Sequence, residues 1–302
     1  MKISRYTGIG LSNHRLYPPS VFLIHSLVTL EMRFYSIRDI DWRFPKLIVL
    51  PNLKKLYLSE LDYADLGRLL GCCQALEDLS LSIDIPQESV VLITSKSLKR
   101  LAIKLEGKSI RDVIVDTPIL EQLDYCSNSV LSIQMLDSIP NVKSLKLRTG
   151  SPTRFNNFRT TLSELIRLEL SLNSEIFQAI FDQQMMHCPN LEVLVLDFFG
   201  YYEITWNQEA MFMLVQQVKH IELCAYVDRF SKYGLSLVIW LLRSAPVLKK
   251  LVISGYGTLP SDDSLSKFRN IVLKCAENTS CCQIDFLGLY KLDIEVQAKD
   301  KL

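Results

Sequence analysis

Apolar residues along this chain recur in a six-residue figure, apolar-x-x-apolar-x-apolar, whose later positions alternate with period two. Such alternation predicts a short strand with one face buried and the other open to solvent. The figure appears as Leu27/Leu30/Met32, Leu53/Leu56/Leu58, Leu76/Leu79/Leu81, Leu98/Leu101/Ile103 and Leu120/Leu123/Tyr125. It continues as Val142/Leu145/Leu147, Leu165/Leu168/Leu170, Leu191/Leu194/Leu196, Val218/Ile221/Leu223 and Leu248/Leu251/Ile253. Successive units begin 26, 23, 22, 22, 22, 23, 26, 27 and 30 residues apart. A Leu-rich chain yields a few such matches by chance, but not ten in phase.

A strand-bearing unit repeated at this interval is the signature of a leucine-rich repeat. No single unit can bury its own apolar face, so neighbours must stack around one continuous core. The predicted fold is therefore an α/β solenoid, a curved parallel sheet with irregular and helical return segments. Proline precedes many strands, as in Pro51-Asn52, Thr117-Pro118, Pro140-Asn141, Pro189-Asn190 and Ala245-Pro246, where it blocks helix in the preceding residue and sets the entry to the strand. Helical spacing marks Leu66/Leu69/Leu70/Cys73, Leu235–Arg243 and Glu175–Met186 as return helices. The units of 22 residues are too short for a strand plus a full helix, so Ile83–Ile93 is predicted to return as extended or single-turn structure. The asparagine position of the regular repeat is matched plainly at Asn128 and Asn173, which marks the repeats as irregular.

Between the buried strand positions stand the residues of the open, concave face. They include Lys55, Tyr57 and Ser59, then Asp78, Ser80 and Ser82, then Arg100 and Lys104. Gln122, Asp124, Lys146, Arg148, Arg167 and Glu169 continue the series, and His220 falls on a later strand of the same face. Stacked strands lie about 4.8 Å apart, so these groups are predicted to form columns. Lys55, Arg100, Lys104, Lys146, Arg148 and Arg167 give the middle of the face a basic cast, interrupted by Asp78 and Asp124. An acidic or polar protein segment is the expected partner there; a merely solvated strand face is the alternative.

Charge narrows the partner further. Lys and Arg number 34 against 33 Asp and Glu, a net +1 that gives no bulk electrostatic pull toward nucleic acid or an anionic membrane. The longest apolar runs, Val21–Leu30 and Leu235–Leu242, fall short of the roughly 20 residues of a membrane span. With no secretory leader in MKISRYTGIGLSNHRLYPPS, the chain reads as cytoplasmic or nuclear. The eight cysteines are then expected to be reduced and mostly buried.

Enzymatic motifs are wanting. No C-x-x-C pair or Cys/His cluster suits zinc, and Cys72-Cys73 and Cys281-Cys282 read as structural thiols. Four histidines (His14, His25, His187 and His220) and no G-x-S-x-G leave nucleophilic catalysis without its parts. Gly8-Ile9-Gly10 and Gly255-Tyr256-Gly257 lack the third glycine of a dinucleotide fingerprint and read as turns. Trp42, Trp206 and Trp240 are assigned to packing, and Tyr201-Tyr202 to an exposed loop. No metal, cofactor or catalytic residue is expected.

Several stretches resemble plant F-box/LRR proteins. Leu16-Tyr17-Pro18-Pro19-Ser20-Val21-Phe22 with Ser26-Leu27-Val28-Thr29-Leu30 looks like the opening of their repeat region. Leu50–Leu58 and Leu69–Leu79 are similar to the next two units, and Leu241–Ile253 continuing to Cys282–Phe286 resembles the FBD module that closes such chains. The resemblance implies a protein-binding repeat region that holds the substrate of a ubiquitin ligase. It also implies an F-box docked on a Skp-type adaptor and cullin, yet no F-box-like run of Leu, Pro and Trp precedes the first repeat here. A truncated form or an F-box-less relative is therefore expected, and a stand-alone interaction scaffold stays open beside the ligase subunit. The resulting organisation is a short irregular N-terminal cap at 1–26 and irregular repeats at 27–223. A last repeat with an FBD-like C-terminal cap follows at 224–294, then a polar tail at 295–302.

Overall fold

The structure, a computed structural model, describes residues 2–6, 19–33, 45–62, 66–84, 90–106, 112–127, 139–149, 160–172, 186–198, 208–226, 234–256, 262–277 and 282–287. Its strands are β1 (Lys2–Tyr6), β2 (Thr29–Arg33), β3 (Lys55–Asp62), β4 (Asp78–Asp84), β5 (Val90–Thr94) and β6 (Arg100–Glu106). They continue with β7 (Asp112–Asp116), β8 (Gln122–Ser127), β9 (Ser144–Thr149), β10 (Thr160–Thr161) and β11 (Arg167–Leu172). The last are β12 (Met186–His187), β13 (Val193–Phe198), β14 (His220–Tyr226), β15 (Lys250–Tyr256) and β16 (Gln283–Leu287). The described helices are α1 (Leu66–Gly71), α2 (Gln208–Val215), α3 (Leu235–Ser244) and α4 (Asp262–Glu277), with a 3-10 turn at Pro19–Leu23.

Twelve strands form one parallel sheet in the order β1-β2-β3-β4-β6-β8-β9-β11-β13-β14-β15-β16. Each of the ten units predicted from the apolar figure supplies one of them. Register pairs like with like: Leu56 sits opposite Leu79, Leu79 opposite Leu101, and Leu145 opposite Leu168. These side chains are almost wholly buried, as are the leading residues Leu27, Leu53, Leu120 and Leu191. Burial of one such side chain contributes roughly 1.5–3 kcal/mol, so the repeated stripe is the main source of stability.

The residues before each strand do more than set its entry. In Leu50-Pro51-Asn52-Leu53 the Leu53 amide donates to the Leu50 carbonyl at 3.2 Å, closing a tight turn with proline second. The same closure occurs from Leu120 to Thr117 at 3.1 Å and from Leu191 to Cys188 at 3.2 Å. Proline's fixed φ suits that second position. Asparagine in the third position then ties successive turns together. Asn52 Nδ2 donates to the His25 carbonyl at 2.9 Å, Asn141 to Pro118 at 2.7 Å and Asn190 to Ser163 at 2.7 Å. A backbone spine runs beside them: Glu77 N to Lys54 O 2.9 Å, Lys99 N to Glu77 O 3.0 Å, Glu121 N to Lys99 O 2.8 Å and Lys143 N to Glu121 O 2.8 Å.

The described return segments are of two kinds, helical and extended. α1 and α3 stand where helical spacing predicts them, with Leu66, Leu69 and Leu70 buried on one and Leu237, Val238, Leu241 and Leu242 on the other. In the short central units the returns are extended, and β5 and β7 pair in a separate two-stranded sheet. Val91, Ile93, Val113 and Val115 face the core from it, while Leu92 is exposed. β10 and β12 form a second small pair. Of the predicted helix Glu175–Met186, residues 175–185 lie outside the described residues and Met186 is in β12. Asn128, Asn173 and Tyr201-Tyr202 also lie outside them.

The ends differ from the simplest reading. β1 adds a parallel strand within 1–26, where irregular structure is predicted. At the other end β16 extends the same sheet and α4 packs beside α3. The division after residue 223 falls inside β14, so the sheet runs through it without a break. The tail 295–302 lies outside the described residues. Gly255 is in β15 and not in a turn, because its backbone is held in register with Ala225. Of the seven described cysteines only Cys73 is fully buried; the rest are half-buried, a correction to the expectation of mostly buried thiols. Among the described residues no helix is long and apolar enough to cross a membrane.

Candidate protein-binding face

Alternation along each strand sends one set of side chains into the core and the other onto the open face of the sheet. Register aligns the open set into columns. The first runs Thr29, Lys55, Asp78, Arg100, Gln122, Ser144, Arg167. The second runs Glu31, Tyr57, Ser80, Ala102, Asp124, Lys146, Glu169. The third runs Ser59, Ser82, Lys104, Cys126, Arg148, Ser171. The columns predicted from the sequence are thus present in the described strands. Lys55, Lys104, Gln122, Asp124 and Arg148 are exposed, whereas Tyr57, Asp78, Arg100, Lys146, Arg167 and Glu169 are half-buried.

Much of the basic charge is answered from within the sheet. Arg100 Nε lies 3.2 Å from Asp78 Oδ2, and the Tyr57 hydroxyl donates to that same oxygen at 3.5 Å. Burial and the neighbouring Asp78 carboxylate raise the Tyr57 phenol above its ordinary range. Glu169 joins two cations, Lys146 directly and Arg167 Nη2 at 3.6 Å. Lys104 Nζ reaches Glu106 Oε1 at 2.6 Å, along its own strand. Asp124 is raised by desolvation, against the opposing pull of Lys146 and Arg148. Among the described residues Lys55 and Arg148 make no ion pair.

A concavity of about 710 Å³ opens on this face, bordered by residues from β2 through β9. Its floor is low because small side chains meet there: Ser59, Ser80, Ser82, Ala102 and Cys126. Lys55, Tyr57, Lys104, Asp124 and Arg148 stand around it. Volumes of this order suit a ligand or an inserted side chain. Sequence reading selected the charged members but not Thr29, Glu31, Ala102 and Cys126, which extending the alternation by one strand and one register step would have found. Of a second polar group toward the C-terminal end it named His220 alone. There His220 Nε2 lies 3.4 Å from Glu222 Oε1, and Lys250 Nζ 3.0 Å from Asp285 Oδ2. A hydrogen bond from Gln283 and the Lys250 ammonium hold the Asp285 carboxyl below its ordinary range.

The rest of the chemistry is sparse. Among the described residues no group of three His, Cys, Asp or Glu is placed to hold a metal ion.

Comparisons with known proteins agree with the repeat architecture. Residues 7–149 match the family model described as "FBD-associated F-box protein At5g56370, LRR repeats". Three Arabidopsis thaliana proteins are among the similar ones. FBD-associated F-box protein At5g60610 is 29% identical over 220 residues, covering 62% of this chain and 55% of that protein. FBD-associated F-box protein At5g38590 is 26% identical over 280 residues, covering 80% and 66%. Putative FBD-associated F-box protein At5g56410 is 27% identical over 311 residues, covering 96% and 59%. The chain spans 55% to 66% of the length of these curated relatives. No solved structure matches.

Proposed function

From the premise that this chain is a leucine-rich-repeat protein of the plant F-box/FBD/LRR type, we propose that it is a protein-binding module, the substrate-recognition part of an F-box-type ubiquitin ligase subunit. The observation that carries this reading is the open face of the sheet, where register lines up polar and charged side chains over a shallow concavity. Stacked repeats give such a face a large area on a rigid support, which suits it to grip another protein's surface. A ligase subunit of this kind needs no reactive group of its own; it needs to hold a substrate near the machinery that modifies it. The role of adaptor and cullin rests on the names of the relatives and on the resemblance of the repeats and closing module.

The test is affinity purification of the chain from plant tissue, with co-purifying proteins identified by mass spectrometry. The reading expects a Skp-type adaptor and a cullin, together with proteins whose recovery falls when open-face residues such as Tyr57 and Arg148 are replaced. Partners recovered without adaptor and cullin would make it an interaction scaffold and end the ligase assignment. Partners indifferent to every open-face substitution would end the assignment of that face.

A further inference from the structure

Many charges on the open face answer one another, and two that do not are neighbours of opposite sign. We propose that these two, Arg148 and Asp124, receive a mixed-charge extended segment of the partner protein, its carboxylate on Arg148 and a cationic side chain two or three residues away on Asp124. This rests on the protein-binding reading and specifies what that face recognises.

The distribution of ion pairs singles out the two residues. Arg100 is held by Asp78, Lys104 by Glu106, and Lys146 and Arg167 by Glu169. Toward the C-terminal end His220 lies beside Glu222, and Lys250 beside Asp285. Among the described residues Asp124 and Arg148 make no ion pair, although both are exposed at the border of the concavity. Lys146 is the register neighbour of Asp124, but its ammonium is engaged by Glu169. Lys55, which also makes no ion pair among them, lies three strand steps from Asp124, about 14 Å across the sheet, and cannot answer it.

Geometry makes the pair a single target. Arg148 faces Cys126 in register, and Asp124 precedes Cys126 by two residues on the same strand. One strand step across and two residues along place their Cα atoms about 8 Å apart. Side chains on one face of an extended segment, two residues apart, are separated by about 7 Å, and three residues of polyproline-type chain advance about 9 Å. Ala102 and Cys126, the small neighbours of the pair, let such a segment lie close to the sheet.

The chemistry requires both signs. A partner that covers the concavity takes water from both groups, and a charge buried without a partner is strongly unfavourable. Desolvation already raises the Asp124 carboxyl above its ordinary range, against the pull of Lys146 and Arg148. A uniformly acidic segment would set a carboxylate against Asp124, and a uniformly basic one would set a cation against Arg148. The planar guanidinium of Arg148 can grip a carboxylate with two hydrogen bonds, while Asp124 accepts from an ammonium or guanidinium.

The experiment pans a random-peptide phage library against the full chain, then measures the affinity of the synthetic consensus peptide for charge-reversed variants. The expected consensus carries one acidic and one basic residue two or three positions apart. Its Kd should rise about ten-fold or more for Arg148→Glu and for Asp124→Lys, the scale of one lost charge contact. Arg148→Gln should weaken it less, and Lys250→Glu, at the far end of the same face, should leave it unchanged. A peptide with its acid and base exchanged should bind the Asp124→Lys/Arg148→Glu double variant more tightly than the original peptide does, a gain that no loss of fold can produce. Circular dichroism melting of each variant separates loss of binding from loss of fold. A library that yields no binder, a consensus of one sign, equal weakening by all three reversals, or no gain from the exchanged peptide would overturn the proposal. The recovery of adaptor and cullin does not depend on this outcome, so the ligase assignment and the mixed-charge assignment can fail separately.

Discussion

Asn141 donates a hydrogen bond from Nδ2 to the carbonyl oxygen of Pro118, 2.7 Å away and 23 residues earlier. It joins the third position of one turn to the second position of the turn in the preceding repeat. Asn52 and Asn190 do the same for their own repeats. A solenoid has only nearest-neighbour contacts, so a link between adjacent turns acts where cooperativity is set. Asn141→Ala should cost about 0.5–1.5 kcal/mol, the usual net contribution of one hydrogen bond. Asn141→Asp should cost more, because a carboxylate has no hydrogen to donate and faces a carbonyl oxygen. Urea titrations of the two variants check both statements; midpoints equal to the wild type would show that the link is ornamental.

That asparagine also marks how far the sequence could be read. The strands were legible because a buried leucine stripe must repeat to stack, and Leu56, Leu79, Leu101 and Leu123 declare it directly. Pro51-Asn52 and Pro140-Asn141 were visible as motifs, but the partner of each asparagine sits a whole repeat away, where no local pattern points. Extended returns in the short units followed from length alone; their pairing as β5 and β7 did not, since Val90–Thr94 carries no mark of which strand it meets. α2 and α4 were missed for a related reason, as their apolar positions serve packing between returns and not the strand figure. On the open face, residue identities were legible and net charge was not. Whether Arg100 is free or spent on Asp78 depends on rotamers one strand apart.

Charge along the turn edge alternates in the same way. Glu77 lies between Lys54 and Lys99, one repeat to either side, with Oε1 3.4 Å from Lys54 Nζ and Oε2 3.4 Å from Lys99 Nζ. Hydrogen bonds from Lys54 and then Lys99 hold its carboxyl below the ordinary glutamate value of 4.5. A lowered folded-state pKa means that folding favours the ionised form. This stabilisation is complete above the unfolded value and is lost as pH falls through the folded one. Stability should therefore drop as the medium is acidified below about 4.5, and Glu77→Gln should make that acid limb shallower. Added salt should shrink the difference, since all three groups are solvent-exposed or nearly so. Urea midpoints taken across the acid range at low and high salt provide the measurement. An acid limb identical in the variant would count against the ladder.

The two faces of a strand make opposite predictions for neighbouring residues. On β9, Leu145 is fully buried between Leu123 and Leu168, while Arg148 is exposed on the open face. Leu145→Ala should cost about 2–5 kcal/mol, combining lost burial with the cavity left behind. Arg148→Gln should stay within about 0.5 kcal/mol of the wild type, as for surface substitutions generally. The contrast also guards the binding experiment, because a variant that leaves stability alone can report on recognition. Chemical denaturation of both proteins side by side decides it, and a large loss for Arg148→Gln would mean that this arginine is part of the packing.

Cys73 offers a probe of how the repeat stack opens. Its side chain is 2% exposed and its carbonyl accepts the Leu76 amide at 3.1 Å, closing the turn ahead of β4. Burial, with a smaller contribution from adjacent Cys72, pushes its thiol up to about 12. Only the thiolate is nucleophilic, so at neutral pH the reactive fraction is on the order of one part in 10⁵. Alkylation of the native chain should then proceed only through opening of the surrounding repeats. Iodoacetamide labelling followed by peptide mass spectrometry should find Cys73 protected, with a rate that climbs as urea approaches the unfolding midpoint. Leu145→Ala tests whether opening is local or spreads along the stack. If the repeats open together, the variant should speed labelling at Cys73 in proportion to its lost stability; if they open singly, labelling there should be unchanged. Native-state labelling of Cys73 as fast as in the urea-unfolded chain would contradict its burial outright.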